Sequence, residues 1–382
     1  MRLIHTADWH LGRLFHGLHM TEDQSHVLEE FLALVKDSRP DAVIIAGDLY
    51  DRAVPPPDAV RLLDEVFSRL VDMNVAVGVI AGNHDSPDRL GFGSRLFSHK
   101  NLHVSSVLEK SQRPMVIHDK HGPVHIHLLP FAEPPVARAH TGDQAVRTHA
   151  TAMEALVQQA WQRQPKGDRS VLVAHATVVG GKQGESERNL GALAGGDAIA
   201  AEKLGLFDYV ALGHLHPRQT LGDGRIHYPG SLLPYTFGEI EDERGISLVE
   251  MDERGQVRID SIELTPRRQI RKIRGYLQDL LKDDQGRSRD DYICAVLYDE
   301  GALLDPIGRL REVYPNVLQI ERTFLDVPDP LQERVDHRKR TPLQLFEDFF
   351  HEVTGVDLTE DEHTALTEML ESMAQQEREA TV

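Results

Sequence analysis

Five short apolar runs, each leading into residues that can bind a metal ion, limit what this chain can fold into. The runs are Leu3–Thr6, Ala42–Ala46, Val75–Ala81, Ser170–Ala174 and Tyr209–Leu212. Between them, Glu22–Lys36 and Asp58–Met73 carry apolar residues at helical spacing, and Thr21 is placed to cap the first of these helices. Buried strands that alternate with amphipathic helices predict a layered α/β fold.

Two segments are rich in glycine, proline and charged residues. They are residues Glu133–Gly142 and Gly180–Gly196. Such composition is typical of loops, so we predict that both segments are long loops over the edge of the sheet.

Side chains of the metal-binding type follow all five apolar runs. They are Asp8, His10, Asp48, Asn83, His84, His175, His214 and His216. In an open α/β sheet, ligands bind beyond the carboxyl ends of the strands, so five such strands are expected to bring these side chains to one rim. Asp8 and His10 are two residues apart, as are His214 and His216, and such pairs point the same way on an extended chain.

These residue types suit the hydrolysis of a phosphodiester. That reaction needs an activated water and neutralised phosphoryl oxygens, and two cations about 3.5–4 Å apart supply both. Asp48, which stands alone after the second run, is the natural bridging ligand between two cations. His84 directly follows the ligand candidate Asn83 and is the best candidate for a proton donor to the leaving oxygen. Asp51 and Asp85 are placed to orient the histidines from behind.

A lone histidine or aspartate at a strand end is usually an ordinary loop residue. The ordered set D-x-H, G-D-x-x-D, G-N-H-D, H and G-H-x-H is much more specific. With these motifs the sequence resembles the calcineurin-like metallophosphoesterase superfamily. The resemblance implies a layered sandwich of mixed sheets flanked by helices, and two divalent metal ions, of which manganese is the expected kind.

The resemblance also implies how the ligands are divided. One ion would be held by Asp8, His10, Asp48 and His216, and the other by Asp48, Asn83, His175 and His214, with His84 as the catalytic histidine.

Longer stretches resemble one branch of the superfamily, the bacterial DNA nuclease subunits that work with an ATPase. They are IHTADWHLGR, AGDLYDRAVPP, GNHDSPDRL, HATVVGGKQGESER and YPGSLLPYTFGE. That branch implies 3′→5′ exonuclease action on duplex ends, and endonuclease action on hairpins and single strands. It implies roles in DNA repair, replication and recombination. It also implies a pair of nuclease subunits in a two-plus-two assembly with the ATPase.

Two other functions stay open. The same metal motifs occur in enzymes that hydrolyse phosphoproteins or small phosphodiesters. A scaffold that tethers an ATPase to DNA is the other alternative, although the intact motifs argue against it.

The pattern of the chain changes after residue 265. An arginine-rich strand candidate is followed by a helix near Tyr276–Lys282, a strand at Tyr292–Tyr298, a helix near Pro306–Val313 and a strand at Val317–Arg322. We therefore predict a main domain over residues 1–265. The family resemblance implies that residues 268–330 are a small α/β capping domain. It also implies that residues 341–382 are helices that bind the ATPase.

The terminal segment has an apolar face at helical spacing. Its residues are Leu343, Phe346, Phe349, Phe350 and Val353. Such a face can enter the groove of a partner protein or pack on its own domain, and the sequence alone favours neither.

The charge of the chain limits how it could bind DNA. Lys and Arg number 42 against 61 Asp and Glu, a formal net charge of −19, which argues against binding DNA by bulk charge. A local basic run is either a DNA-binding patch or a solvated face. It consists of Arg267, Arg268, Arg271, Lys272 and Arg274.

Cys294 is the only cysteine, so an internal disulfide and a cysteine-based zinc site are excluded. No apolar stretch reaches the roughly 18 residues of a membrane span. We expect a cytoplasmic protein that is associated with the nucleoid.

Overall fold

The computed structural model describes residues 1–110, 113–187, 197–282, 288–301 and 303–322, together with isolated positions between 343 and 369. The chain forms two compact units, residues 1–321 and 322–382. Among the described residues, no helix has the length and apolar character needed to cross a bilayer.

Short strands and helices alternate through the first unit. The strands are β1 Arg2–Thr6, β2 Leu14–Phe15, β3 Leu18–His19, β4 Ala42–Ala46, β5 Ala76–Ile80, β6 Leu102–Ser105, β7 Met115–Asp119, β8 Gly122–Leu128, β9 Arg169–His175, β10 Tyr209–Gly213, β11 Gln219–Leu221, β12 Ile226–Tyr228, β13 Ile246–Met251, β14 Val257–Ile262, β15 Ile270–Gly275, β16 Tyr292–Leu297 and β17 Val317–Arg322. The helices are α1 Thr21–Ser38, α2 Pro57–Asp72, α3 Pro87–Leu90, α4 Ser94–Phe97, α5 Pro134–Thr141, α6 His149–Gln162, α7 Ala201–Leu204, α8 Leu277–Leu280 and α9 Pro306–Arg311.

Two six-stranded sheets form the centre of the first unit. Their strand orders are β14-β13-β1-β4-β5-β6 and β11-β12-β10-β9-β8-β7. In the first sheet β1, β4, β5 and β6 are parallel and β13 is antiparallel to β1. In the second sheet β8, β9, β10 and β12 are parallel, with antiparallel strands at both edges. Both sheets are therefore mixed, and the predicted fold class is confirmed.

Successive residues of the central strands point to opposite faces of the sheets, and this alternation builds the layers. Leu3 of β1 and Val171 of β9 belong to one buried cluster between the two sheets. Ile4, the next residue of β1, packs in a second cluster with Phe31 of α1. Leu172 of β9 packs in a third cluster that includes α6. The order of layers is helix, sheet, sheet, helix, and each fully buried leucine or isoleucine stabilises it by about 1.5–3 kcal/mol.

A small polar cluster is buried between the sheets. The imidazole of His5 on β1 lies 2.8 Å from the hydroxyl of Tyr209 on β10. The ring of His227 on β12 lies 6.0 Å from that of His5, and its nitrogens hydrogen-bond Thr220 and Ser247. The interface between the sheets therefore contains ionisable groups as well as apolar side chains.

Two local predictions were wrong. Thr21 is the first residue of α1 rather than its cap, because Met20 occupies the capping position. All but the two end residues of the segment Glu133–Gly142 form a helix, α5, rather than a loop. Its two leading prolines suit the first turn of a helix, where no backbone N–H is needed, and Gly142 ends it with a φ of 75°.

The strands β15, β16 and β17 form a three-stranded sheet with its own small core. Its order is β15-β16-β17. On β16, Ile293 and Leu297 pack with Leu310 of α9 in this core. Tyr292 and Cys294, on the other face of β16, pack into the core of the main sheet. The strand predicted at Val317–Arg322 has these bounds in the structure, whereas the helix predicted near Tyr276–Lys282 is shorter, Leu277–Leu280.

The second unit is described only at isolated positions. Leu343, Phe346 and Phe350 are helical, and Phe346 is 41% exposed. Phe349 and Val353, which belong to the predicted partner-binding face, lie outside the described residues.

Candidate metal centre

The predicted ligands meet where the carboxyl ends of the two central sheets come together. Asp8, Asp48 and Asn83 follow β1, β4 and β5 of the first sheet. His175 ends β9, and His214 follows β10, in the second sheet. These side chains lie at one rim, as predicted. That rim is built by two sheets rather than by one open sheet.

The backbone of these turns is held in an uncommon conformation. Asp8, His10, Asp48 and His214 have φ values of 54°, 46°, 51° and 104°. Such values cost residues other than glycine about 1–3 kcal/mol each and persist only where the surroundings hold them. Here Asp8 N–H donates to the carbonyl of Gly47 at 3.1 Å and His10 N–H donates to that of Asp48 at 3.0 Å. The concentration of positive φ values points to a functional site.

Two glycines allow the turns to approach one another. A β-carbon on Gly82 would collide with the carboxylate of Asp48. One on Gly213 would collide with the backbone carbonyl of Ala46, on the other sheet. Only glycine fits at these two positions, which explains why it precedes the ligand candidates.

One group of donor atoms is formed by Asp8, His10 and His216. All three side chains are buried, and their donor atoms lie within 4.8 Å of one another. The Nε2 atoms of His10 and His216 lie 3.1 Å apart. Both oxygens of Asp8 accept hydrogen bonds from the backbone N–H of His214, at 3.0 and 3.1 Å, which orients the carboxylate.

A second group surrounds His175. Its Nε2 lies 2.9 Å from Asn83 Oδ1 and 3.4 Å from Asp48 Oδ2. His214 Nδ1 lies 3.2 Å from the same Asn83 oxygen. Asp48 Oδ2 is also 3.8 Å from His10 Nε2 in the first group. Asp48 thus lies between the two groups, as a bridging ligand must.

His84 faces the same cluster from a third side. Its Nδ1–H donates to the backbone carbonyl of Asp51 at 2.8 Å, and its Nε2 lies 3.9 Å from Asp48 Oδ2. Its backbone N–H donates to Asp48 Oδ1 at 2.9 Å. The ring is therefore oriented by Asp51 with Nε2 directed at the cluster.

Asp51 and Asp85 support the site in different ways. The carboxylate of Asp51 accepts a 2.7 Å hydrogen bond from Arg13 and lies 3.9 Å from His10 Nδ1. Asp85 is buried and accepts from the backbone N–H groups of Leu49, Tyr50 and Gly82, at 3.2, 2.9 and 2.9 Å. Asp85 therefore holds the turns that carry the ligand candidates and does not orient a histidine side chain.

Burial and mutual charge set the protonation of the cluster. Burial raises the pKa of Asp8 to about 7 and lowers the pKa of His214 to about 3. Burial alone would lower the pKa of His175, but the carboxylates of Asp48 and Asp8 raise it to about 9. Burial opposes ionisation of Asp48, yet His175 and His10 hold its pKa well below the usual range. A buried ion pair of Asp48 and His175 is the result.

The donor set fits divalent cations. Imidazole nitrogens, carboxylate oxygens and an amide oxygen suit manganese, iron or zinc. His10 Nδ1 is buried without a hydrogen-bond partner among the described residues, so a cation at Nε2 and a small shift toward Asp51 would satisfy both ring nitrogens. The cluster is thus better suited to holding cations than to packing alone.

Sequence reasoning missed two polar residues behind His216. Ser186 Oγ lies 2.7 Å from His216 Nδ1, and Ser186 also donates to the buried carboxylate of Glu239. Burial opposes ionisation of Glu239, but hydrogen bonding to His216 and Ser186 lowers its pKa to about 2. Both residues stand in stretches that carried the family resemblance, GESER and YTFGE, and that was the available signal.

The basic run over residues 267–274 is largely engaged in ion pairs. Arg267 and Arg268 pair with Glu22 and Asp23 of α1. Further along the run, ion pairs of 2.8 and 3.0 Å join Arg271 to Asp291 and Lys272 to Glu321. These contacts connect the residues just before β15 to α1, and connect β15 itself to Asp291 and to β17. DNA binding by this run stays a prediction.

Comparison with known proteins gives matches to two family models and to relatives along nearly the whole chain. The calcineurin-like phosphoesterase model matches residues 1–218, and the type 5 capsule protein repressor C-terminal domain model matches residues 266–354. The D subunit of the SbcCD nuclease from Staphylococcus saprophyticus is 30% identical over 379 residues, covering 98% of this chain and 99% of the relative. Its counterpart from Staphylococcus epidermidis is 29% identical over 362 residues, covering 94% and 95%. A Thermus thermophilus crystal structure aligns with 68% of this chain and 98% of its own, at 16% identity and a TM-score of 0.39.

Proposed function

Since this chain belongs to the calcineurin-like phosphoesterase family, in the group of the D subunits of SbcCD nucleases, we propose that it cleaves DNA at its buried ligand cluster. The proposed activities are 3′→5′ exonuclease action on duplex ends and endonuclease action on hairpins and single strands, in DNA repair, replication and recombination. The observation that carries this proposal is the convergence of Asp8, His10, Asp48, Asn83, His175, His214 and His216 at the joined ends of two sheets.

The ligands would be divided between two cations. Asp8, His10, Asp48 and His216 would hold one, and Asp48, Asn83, His175 and His214 the other. When bound, the two cations supply an activated water and neutralise charge on the phosphoryl oxygens. The 3.1 Å separation of His10 and His216 and the 2.9 Å separation of His175 and Asn83 support this division. We propose Mn²⁺ as the cation because the family resemblance implies it, and a mixed oxygen and imidazole shell accepts it.

His84 acts on the leaving group in this proposal. The carbonyl of Asp51 accepts from Nδ1–H at 2.8 Å, so the ring is fixed with Nε2 toward the cluster. In its protonated form, Nε2 donates a proton to the leaving oxygen as the phosphodiester bond breaks. Asp85 keeps the turn of Asp48 against the turn of Asn83 while this happens, through its three backbone hydrogen bonds.

The partner would be an SbcC-type ATPase, and a pair of nuclease subunits would form a two-plus-two assembly with it. We assign residues 1–265 to the nuclease domain, 268–330 to a capping domain and 341–382 to ATPase binding. The helical positions Leu343, Phe346 and Phe350 and the exposure of Phe346 support a docking face there. Because the proposed substrate is DNA, we infer that the protein works in the cytoplasm at the nucleoid.

The test is a nuclease assay of the purified chain. A linear duplex, a hairpin and a small phosphodiester are each supplied with Mn²⁺, Mg²⁺, Zn²⁺ or chelator, with and without the ATPase and ATP. Manganese-dependent cleavage of the duplex, widened to hairpins by the ATPase and ATP, is expected. Cleavage of the small phosphodiester alone would overturn the DNA assignment and favour the alternative of a phosphoprotein or small-molecule enzyme, which the net charge of −19 also suits.

The basic run is tested separately with charge-reversal variants. If Arg274 and its neighbours contact phosphates, Arg274→Glu should weaken duplex binding and make its salt dependence shallower. If the salt dependence of duplex binding is unchanged, the run does not contact DNA and serves only to form its ion pairs within the protein.

A further inference from the structure

We propose that Ser186 and Glu239 form a hydrogen-bond relay that positions His216 for one of the two cations. The relay deepens the proposed function and rests on it, since it concerns a ligand of the same metal centre. Both residues are positioning residues, because they reach the cations only through His216.

The directions of the hydrogen bonds follow from the groups around Glu239. Its carboxylate is fully buried, and the backbone N–H groups of Ser186 and Tyr235 donate to its two oxygens at 3.0 Å each. The guanidinium of Arg244 lies 3.5 Å from Oε2. A carboxylate surrounded by donors in this way acts as an acceptor, so the hydroxyl of Ser186 donates its proton to Glu239.

That direction determines the tautomer of His216. The oxygen of Ser186 lies 2.7 Å from His216 Nδ1, and since its own proton is used on Glu239, it accepts from Nδ1–H. In the neutral ring of His216 the lone pair then resides on Nε2, the atom that lies 3.1 Å from His10 Nε2. Ser186 and Glu239 thus keep His216 in the form that can bind a cation at the centre of the first group.

A single loop segment holds both the ring and the backbone of His216. Glu187, next to Ser186, accepts from the backbone N–H of His216 at 2.5 Å and from that of Gly184 at 2.7 Å. Residues 184–187 therefore hydrogen-bond both the ring and the backbone of His216, so a displacement of this segment would displace the proposed ligand.

The other half of the centre is supported differently. His175 donates Nδ1–H to the backbone carbonyl of Ala46, at 2.9 Å, and Ala46 is the last residue of the central strand β4. A strand carbonyl cannot be displaced without disturbing the sheet, whereas a serine hydroxyl on a loop can. Loss of the relay is therefore expected to weaken the cation at His216 and spare the cation at His175.

The experiment measures Mn²⁺ binding to the full chain, by titration calorimetry and by electron paramagnetic resonance of the free ion. Ser186→Ala removes the relay, Ser186→Thr restores a hydroxyl, and Glu239→Gln removes the carboxylate charge. Glu241→Gln is the matched control, because Glu241 is an exposed carboxylate two residues from Glu239. Melting temperature is recorded for every variant.

In Ser186→Ala we expect one of two Mn²⁺ ions to bind about 10- to 100-fold more weakly, with the other ion unchanged and with recovery in Ser186→Thr. Glu239→Gln should weaken the same ion, and it decides the question if Ser186→Ala fails to fold. Two ions bound with wild-type affinity, or equal weakening of both with a lower melting temperature, would overturn the relay. A wild-type chain that binds no Mn²⁺ and cleaves no DNA would overturn the proposed function itself, which is a distinct result.

Discussion

Acidification should destabilise the sandwich through the histidine buried between its sheets. His227 is 2% exposed, and burial, reinforced by the charge of Arg218, lowers its pKa to about 4. In the unfolded chain a histidine has a pKa of about 6.5. Between these two values the unfolded state binds a proton that the folded state does not, so the free energy of unfolding falls as pH falls through this window.

The magnitude follows from the same two values. At pH 5 the imidazole is protonated in the unfolded chain and mostly neutral in the folded one, so relative to pH 8 the loss is about 2 kcal/mol. His5, which faces His227 from β1, acts in the same direction, because burial and then His227 hold its pKa well below the usual range. Tyr209, the hydrogen-bond partner of His5, stays neutral in this range because burial raises its pKa well above 10.0.

The assay is urea unfolding, followed by circular dichroism, at pH 8 and at pH 5. In His227→Gln, the difference in the free energy of unfolding between the two pH values should be smaller than in the wild type by about 2 kcal/mol. Ser247→Ala is the control, because it removes a 2.7 Å hydrogen bond but keeps the imidazole. It should be less stable at both pH values and keep the pH dependence. The predicted metal ligands also titrate, but they are common to all three proteins, so their contributions cancel. A wild-type pH dependence in His227→Gln would show that His227 does not cause the loss of stability in acid.

Three further outcomes are expected. His84→Gln should slow DNA cleavage by about 10²- to 10⁴-fold while Mn²⁺ binding, measured by calorimetry, is unchanged; cleavage at the wild-type rate would remove His84 from the mechanism. Asp85→Ala leaves three buried backbone N–H groups without their acceptor. The free energy of unfolding in urea should therefore fall by at least about 3 kcal/mol, and a fall below about 1 kcal/mol would contradict this role of Asp85. Deletion of residues 341–382 should abolish co-elution with the ATPase in gel filtration and leave manganese-dependent cleavage of a short duplex intact. A complex that survives the deletion would show that the ATPase binds another part of the chain.

Local patterns were enough to place the strands that carry the ligand candidates. The runs Ala42–Ala46 and Tyr209–Leu212 are apolar, rich in β-branched or small residues and closed by glycine, and the strands β4 and β10 match them within one residue. Turn chemistry was less informative. The prolines that open α5 suggest a loop by composition, although at the first turn of a helix they are favourable.

Contacts distant in sequence were not predictable from spacing. Nothing in the five motifs says that β1, β4 and β5 belong to one sheet and β9 and β10 to another, because that division depends on pairing with strands that carry no motif. Ser186 and Glu239 are 53 residues apart, and each looks like an ordinary loop residue until the fold brings them to His216. The ligand candidates could thus be recognised one motif at a time, but the residues that support them could not.

The arrangement of the predicted ligands on two sheets also affects the lifetime of the protein in the cell. His10 and His216 are separated by 206 residues and come from different sheets, so a cation held between them binds only the assembled sandwich. By mass action, free ion at about 100 times its dissociation constant would stabilise the folded chain by about 2.7 kcal/mol. In a cell short of the ion, more of the protein would therefore be lost to proteolysis, so ion supply would regulate the abundance of the protein as well as the proposed cleavage.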